Sequence, residues 1–141
     1  MLVNQKRQNN RFYSLYTDGA SHGNPGESGA GIVLVAPDGS IIVQKSVYLG
    51  KKTNNEAEYL ALIWGLKTAC QHGIKKLYIY MDAQLVVNHL KGIYKVKAEN
   101  LKALHHEVKE LLRQFCYEIY HIKREKNKLA DKLANLAIKG S

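Results

Sequence analysis

The sequence predicts one mixed α/β domain. Three β-rich runs come first, separated by turn chemistry, and the remainder alternates helical periodicity with short β-branched or aromatic runs. Length agrees: 141 residues suffice for one hydrophobic core and are too few for a comfortable second. So does composition, with 45% hydrophobic residues, 23% charged residues and only two prolines. Residues 1–10 read as a polar N-terminal extension and residues 11–141 as the folded domain.

The first strand is read from Arg11 to Gly19 (RFYSLYTDG), aromatic and β-branched residues running into a glycine-rich stop. Ala30 to Ala36 (AGIVLVA) and Ser40 to Leu49 (SIIVQKSVYL) flank Pro37-Asp38-Gly39, strong turn chemistry that makes them an antiparallel hairpin. A helix follows from Asn55 to Gln71, with Leu62, Trp64, Leu66 and Ala69 as its apolar positions and His72-Gly73 as its stop. Lys76 to Met81 (KLYIYM) is the next strand, ending directly before Asp82, and AQLVVNHLKG is a short helix stopped at Gly92. Leu101, Leu104, Val108, Leu111 and Leu112, spaced by threes and fours, mark an amphipathic helix within Lys97 to Phe115. Tyr117 to Lys123 alternates as a strand. Glu125 to Lys139 closes the chain as a helix with a stripe of Leu129, Leu133 and Leu136, from which Asp131 points away.

Lysine and arginine total 21 against 12 acids, a formal net charge of +9, which suggests a polyanionic partner such as nucleic acid. Met1 to Arg11 lacks the apolar stretch of a secretory signal, and no later run approaches membrane-spanning length, so the expectation is a cytoplasmic protein without a membrane partner. Cys70 and Cys116 are far apart, form no CxxC pair and read as reduced thiols.

Against that basic background the acids stand out. Asp18 ends the first strand and Asp82 the fourth, and a helical crossover would make these two strands parallel neighbours. Their carboxyl ends then meet at a topological switch point, where open α/β sheets place their sites. Two carboxylates there repel, and a bound cation is the usual relief. Hard oxygen ligands without His or Cys favour magnesium or manganese over zinc. Each acid also has a local reading. Asp18 could shape a turn, Asp82 could cap the helix it precedes, Glu58 could close a capping box with Asn55, and Asp131 could pair with Lys128. None of these local readings predicts all four acids in this order on these elements.

Four stretches, TDGASHGNPGESGAGIVL, TNNEAEYLALIWGL, LYIYMDAQLVV and REKNKLADKLANLA, resemble the type 1 ribonuclease H family, and the resemblance covers nearly everything after residue 10. It implies a five-stranded mixed sheet in the order 3-2-1-4-5, with strand 2 antiparallel and helices on its flanks. It further implies that Asp18, Glu58, Asp82 and Asp131 hold two divalent metals, Mg2+ with Mn2+ as a substitute. The family pattern T-N-N-x-x-E selects Glu58 and leaves Glu56 an exposed first-turn acid. Two ions about 4 Å apart would activate a water and stabilise the departing oxygen, leaving a 5′-phosphate and a 3′-hydroxyl on the RNA strand of an RNA/DNA hybrid.

Because water attacks, RNA must be recognised through its 2′-hydroxyl. The resemblance assigns that reading to backbone around Gly19, Ala20 and Ser21, with Asn24, Glu58 and Gln84, and a DNA-phosphate pocket to Thr53 and Asn54. Many members carry Ser where Ala83 stands, with little consequence expected. Many also carry a histidine in a loop before the last acid. Here that loop is short, Arg124 takes the place, as in an archaeal-like branch of the family, and His121 falls in the preceding strand. KGIYKVKAENLK is too short for the basic helix some members insert, leaving Lys91, Lys95, Lys97 and Lys102 as a smaller basic rim. A monomer is expected. Double-stranded RNA stays open as a further substrate, and a non-catalytic nucleic-acid-binding module is the competing account, which the retention of four acids opposes.

Overall fold

A computed structural model describes residues 11–139, so the polar extension at 1–10 lies outside the described residues. The chain runs β1 (Tyr13–Gly23), β2 (Gly26–Val35), β3 (Ile41–Lys52), α1 (Asn54–Gln71), β4 (Lys76–Met81), α2 (Gln84–Leu90), α3 (Glu99–Leu112), β5 (Cys116–His121), a 3-10 turn (Arg124–Lys126) and α4 (Lys128–Lys139). One sheet holds all five strands in the order β3-β2-β1-β4-β5. The first three pair antiparallel, while β1 with β4 and β4 with β5 are parallel, as expected. Among the described residues, no helix is long and apolar enough to cross a membrane.

The first strand does not stop at Asp18. Its parallel pairing with β4 ends at Thr17 opposite Met81, but its antiparallel pairing with β2 continues to Gly23 opposite Gly26. Asp18, Gly19 and Ala20 therefore lie on an extended strand with one edge freed. The switch point is the place where β4 leaves and β1 goes on, and the expected glycine-rich stop is the far end of a hairpin.

Alternation along β1 sends Leu15, Thr17 and Gly19 toward α1 and Tyr16 and Asp18 toward the opposite face. On the α1 side the core gathers Leu15, Ile32, Leu34, Leu62, Leu66, Leu77, Ile79 and Met81, with Leu101, Val108 and Leu112 of α3 packed on the same cluster. Trp64 departs from its expected place: it is 40% exposed, with the Lys45 ammonium 5.9 Å above its ring. Helix α1 approaches β1 so closely that a Cβ at position 19 would fall 2.3 Å from the Ala57 carbonyl carbon, so only glycine fits there.

The opposite face is covered by α4, and here the expected packing surface is corrected. Ala130, Ala134 and Ala137 are buried, whereas Leu136 is 47% exposed. The cause lies on β2, where a Cβ at Gly31 would sit 1.9 Å from the Ala130 carbonyl oxygen. A helix lying that close to a strand admits only methyl groups at the contact, and Leu129 and Leu133 are left half-buried. The close approach also sets the height of Asp131, one residue along from Ala130. The expected single helix from Glu125 is broken into the 3-10 turn and α4 by Asn127, which is 2% exposed.

Candidate active site

Three carboxylates meet where β4 leaves β1. One oxygen each from Asp18, Glu58 and Asp82 lie within 4.8 Å of one another. Asp18 comes from β1 and Asp82 from the residue after β4, while Glu58 reaches in from the first turns of α1. The Gly19 amide donates to Glu58 Oε1 at 2.7 Å, so the absence of a side chain at position 19 both admits the helix and aims its carboxylate. The fourth acid, Asp131, arrives from α4 within hydrogen-bonding reach of Asp18.

Electrostatics follow from this crowding. Burial, then the Glu58 and Asp82 carboxylates, then Asp131, push the Asp18 carboxyl well above the ordinary carboxylate range. Glu58 is also raised, chiefly by burial and further by Asp82 and Asp131, while the Gly19 amide and the Arg124 guanidinium restrain the shift. Such a set of hard oxygens, crowded without counter-charge and lacking any His or Cys among its three members, fits a divalent cation site.

The surrounding cleft, about 510 Å3, is lined by all four acids and by Gly19, Ala20, Ser21, Asn54 and Arg124 of the expected site residues. Arg124 Nη2 stands 3.7 Å from Asp131 Oδ1, so arginine rather than the expected Lys128 faces this acid. Ser21 Oγ donates to the Lys52 carbonyl at 2.9 Å and to the Gly23 carbonyl, which ties the hairpin tip to the end of β3.

Three expected residues do not line the cleft. Asn24 Oδ1 accepts from the Asn54 amide at 3.0 Å, fastening the β1–β2 turn to the start of α1. Thr53 is the N-cap of α1: its hydroxyl accepts from the Glu56 amide at 3.1 Å, and Glu56 Oε1 accepts from the Thr53 amide at 2.8 Å. The capping box thus joins Thr53 to Glu56, not Asn55 to Glu58, and frees Glu58 for the cluster. Gln84 is exposed at the first position of α2, and Asp82 does not cap that helix, whose N-cap is Ala83. His121 ends β5 opposite Met81, a strand residue as expected.

The structure adds residues that the sequence reading passed over. Asn127 Nδ2 donates to the Thr17 carbonyl at 2.9 Å and to Asp82 Oδ2 at 3.2 Å, fastening the segment before α4 to both strand ends. Its backbone oxygen also accepts from the amide of Asp131, four residues on, at 3.1 Å. His22 and Asn135 also line the cleft, joined by a 2.9 Å hydrogen bond.

Comparison with known proteins agrees with this fold. A family model described as reverse transcriptase-like matches residues 16–137. The chain is 40% identical over 124 residues to ribonuclease HI of Halobacterium salinarum, an alignment spanning 87% of this chain and 62% of that protein. The crystal structure of RNase H1 from Halobacterium salinarum superposes with a TM-score of 0.90 at 38% identity, covering 93% of this chain and 100% of that one. The chain belongs to the type 1 ribonuclease H family.

A second type 1 ribonuclease H, the LC11 enzyme from compost crystallised in complex with an RNA/DNA hybrid, superposes with a TM-score of 0.86 at 36% identity, over 91% of this chain and 97% of that one. The sheet order and flanking helices described above are those of the ribonuclease H fold.

Proposed function

We propose that this chain hydrolyses the RNA strand of RNA/DNA hybrids with the help of divalent metal ions, leaving 5′-phosphate and 3′-hydroxyl ends. The observation that carries the reading is the trio of carboxylates, one buried and two half-buried, at the switch point of a chain with net charge +9. A polyanion-binding surface gains nothing from such a trio unless cations occupy it. The hybrid-bound LC11 relative supports the choice of substrate.

Asp18, Glu58, Asp82 and Asp131 would hold two Mg2+, or Mn2+ in its place. Ions bound there would supply an activated water and stabilise charge on the departing 3′ oxygen. Asp18, facing the other three acids, is the central ligand of the set. Glu58 presents one oxygen to the Gly19 amide and keeps the other for a cation or a ribose hydroxyl. The open edge of β1 from Gly19 to Ser21 offers backbone groups to the 2′-hydroxyls, the feature that separates RNA from DNA. Gln84, exposed two residues after Asp82, would meet the RNA bases, and Asn24, through its bond to the Asn54 amide, would steady the turn that borders them. Asn54, on the cleft wall beside the α1 N-terminus capped by Thr53, faces the DNA-strand phosphate. Arg124 brings a positive charge to the side of the cleft nearest Asp131.

The test is cleavage of labelled RNA/DNA hybrid, double-stranded RNA and double-stranded DNA, each with Mg2+, Mn2+ or chelator. Metal-dependent cleavage of the hybrid's RNA strand is expected. Cleavage of duplex DNA, or any cleavage surviving chelation, would overturn the reading, and cleavage of double-stranded RNA in place of the hybrid would replace the substrate.

A further inference from the structure

We propose that His22 and Asn135 form a tether that orients the Asp131 carboxylate within the acid set, which makes both of them positioning residues. The proposal rests on the reading of that set as a metal site. Asp131 stands apart from the other three acids. It lies outside the trio within 4.8 Å, it is carried by a helix on the opposite face from α1, and its side chain is 32% exposed. Arg124, 80% exposed and 3.7 Å away, is beyond hydrogen-bond distance and does not fix it.

Asn135, one helical turn on, does. Its Nδ2 lies 2.9 Å from the Asp131 carbonyl oxygen and 3.3 Å from Asp131 Oδ1. Both neighbours are acceptors, so this end of the amide must be the NH2 group, and Oδ1 must be the end that faces His22 Nε2 at 2.9 Å. His22 Nε2 therefore carries a hydrogen and donates. The chain of donors runs one way, from His22 on β1 through the Asn135 amide to the Asp131 carboxylate.

Two physical consequences give this chain a purpose. His22 lies on the same face of β1 as Asp18 and Ala20, so the tether joins the strand bearing Asp18 to the helix bearing Asp131 and holds the two acids in register. A neutral amide also orients the carboxylate without cancelling its charge, which a lysine at the same place would do in competition with a cation. Groups of this kind around ligating carboxylates set both their direction and the affinity of the site.

Mn2+ binding measured by titration calorimetry on the full chain tests the tether, using wild type, His22→Ala, Asn135→Ala, the double variant and His22→Gln. Asn135→Ala should weaken binding about 10-fold. His22→Ala, which removes one exposed hydrogen bond, should weaken it about 3-fold. The double variant should match Asn135→Ala alone, because His22 acts only through Asn135. His22→Gln, whose side-chain amide can donate to the same oxygen, should restore wild-type affinity. In metal-free protein the Asn135 side-chain amide resonance should shift in His22→Ala with the melting temperature unchanged.

Additive effects, or unchanged Mn2+ affinity in both single variants, would overturn the tether while leaving the metal site standing. A wild type that binds no Mn2+ would overturn the metal reading and the tether with it.

Discussion

Replacing Asp18 with asparagine should make the metal-free protein more stable while abolishing its metal-dependent nuclease activity. Asp18 is 5% exposed and faces Glu58, Asp82 and Asp131. Burial and those neighbours raise its carboxyl above its ordinary value of 3.8, so the folded state holds that proton more tightly than the unfolded chain does. As pH rises past the unfolded value, the unfolded chain ionises freely and the folded one cannot, and stability falls by about 1.4 kcal/mol per pH unit. Between pH 3.8 and pH 7 the loss is capped at about 4 kcal/mol, and sharing of a proton between Asp18 and Glu58, both raised, brings it to about 2 kcal/mol. Asparagine keeps the shape, carries no charge to desolvate and can donate to the remaining carboxylates.

For a chain of this length, about 2 kcal/mol corresponds to a rise in Tm of about 6 °C. Thermal unfolding followed by circular dichroism in chelator at pH 7 and at pH 4.5 measures it. The gain should be present at pH 7 and shrink toward pH 4.5, where the wild-type carboxyl is protonated in folded and unfolded chains more nearly alike. Adding Mn2+ should raise the Tm of wild type and not that of the variant. An equal or lower Tm for Asp18→Asn at pH 7 with the fold intact, or a gain that grows on acidification, would refute the electrostatic account of the cluster.

Glu56 and Glu58 should separate cleanly. Glu56→Ala opens the capping box with Thr53 and should cost about 1 kcal/mol in chemical denaturation with kcat retained, whereas Glu58→Gln should fold normally and lose metal-dependent cleavage. Gly31→Ala places a methyl group 1.9 Å from the Ala130 carbonyl oxygen, which forces α4 away from β2. It should cost about 3 kcal/mol in urea unfolding and reduce activity by displacing Asp131. Asn127→Ala removes the donor shared by the Thr17 carbonyl and Asp82 Oδ2. It should cost about 2 kcal/mol by the same assay and raise the metal concentration needed for half-maximal cleavage.

Local rules made most of the architecture legible before any coordinates. Pro37-Asp38-Gly39 marks its hairpin because turn chemistry is written in adjacent residues, and the spacing of Leu101, Leu104, Val108 and Leu112 marks α3 because period and face repeat within one element. Asp18 and Asp82 could be brought together by topology alone, since a crossover from a hairpin-bearing strand puts both carboxyl ends at one switch point. Glu58 was harder. Its spacing from Asn55 imitates a cap as well as Glu56's from Thr53 does, and only the family pattern separated the two.

What the sequence by itself determined, then, is the order of elements, the placement of the acids at strand and helix ends, and the family they suggest. All of these depend on short stretches of chain. The tertiary structure decided which face of each helix is buried and what holds each acid in place, because those depend on the surface an element meets. Leucines look like the natural inner face of α4 until the glycines of β2 bring the backbones so close that only Ala130, Ala134 and Ala137 fit. Asn127 and the His22–Asn135 pair are invisible in sequence for the same reason. Their partners lie 110 and 113 residues away, and no local pattern encodes a hydrogen bond across that distance.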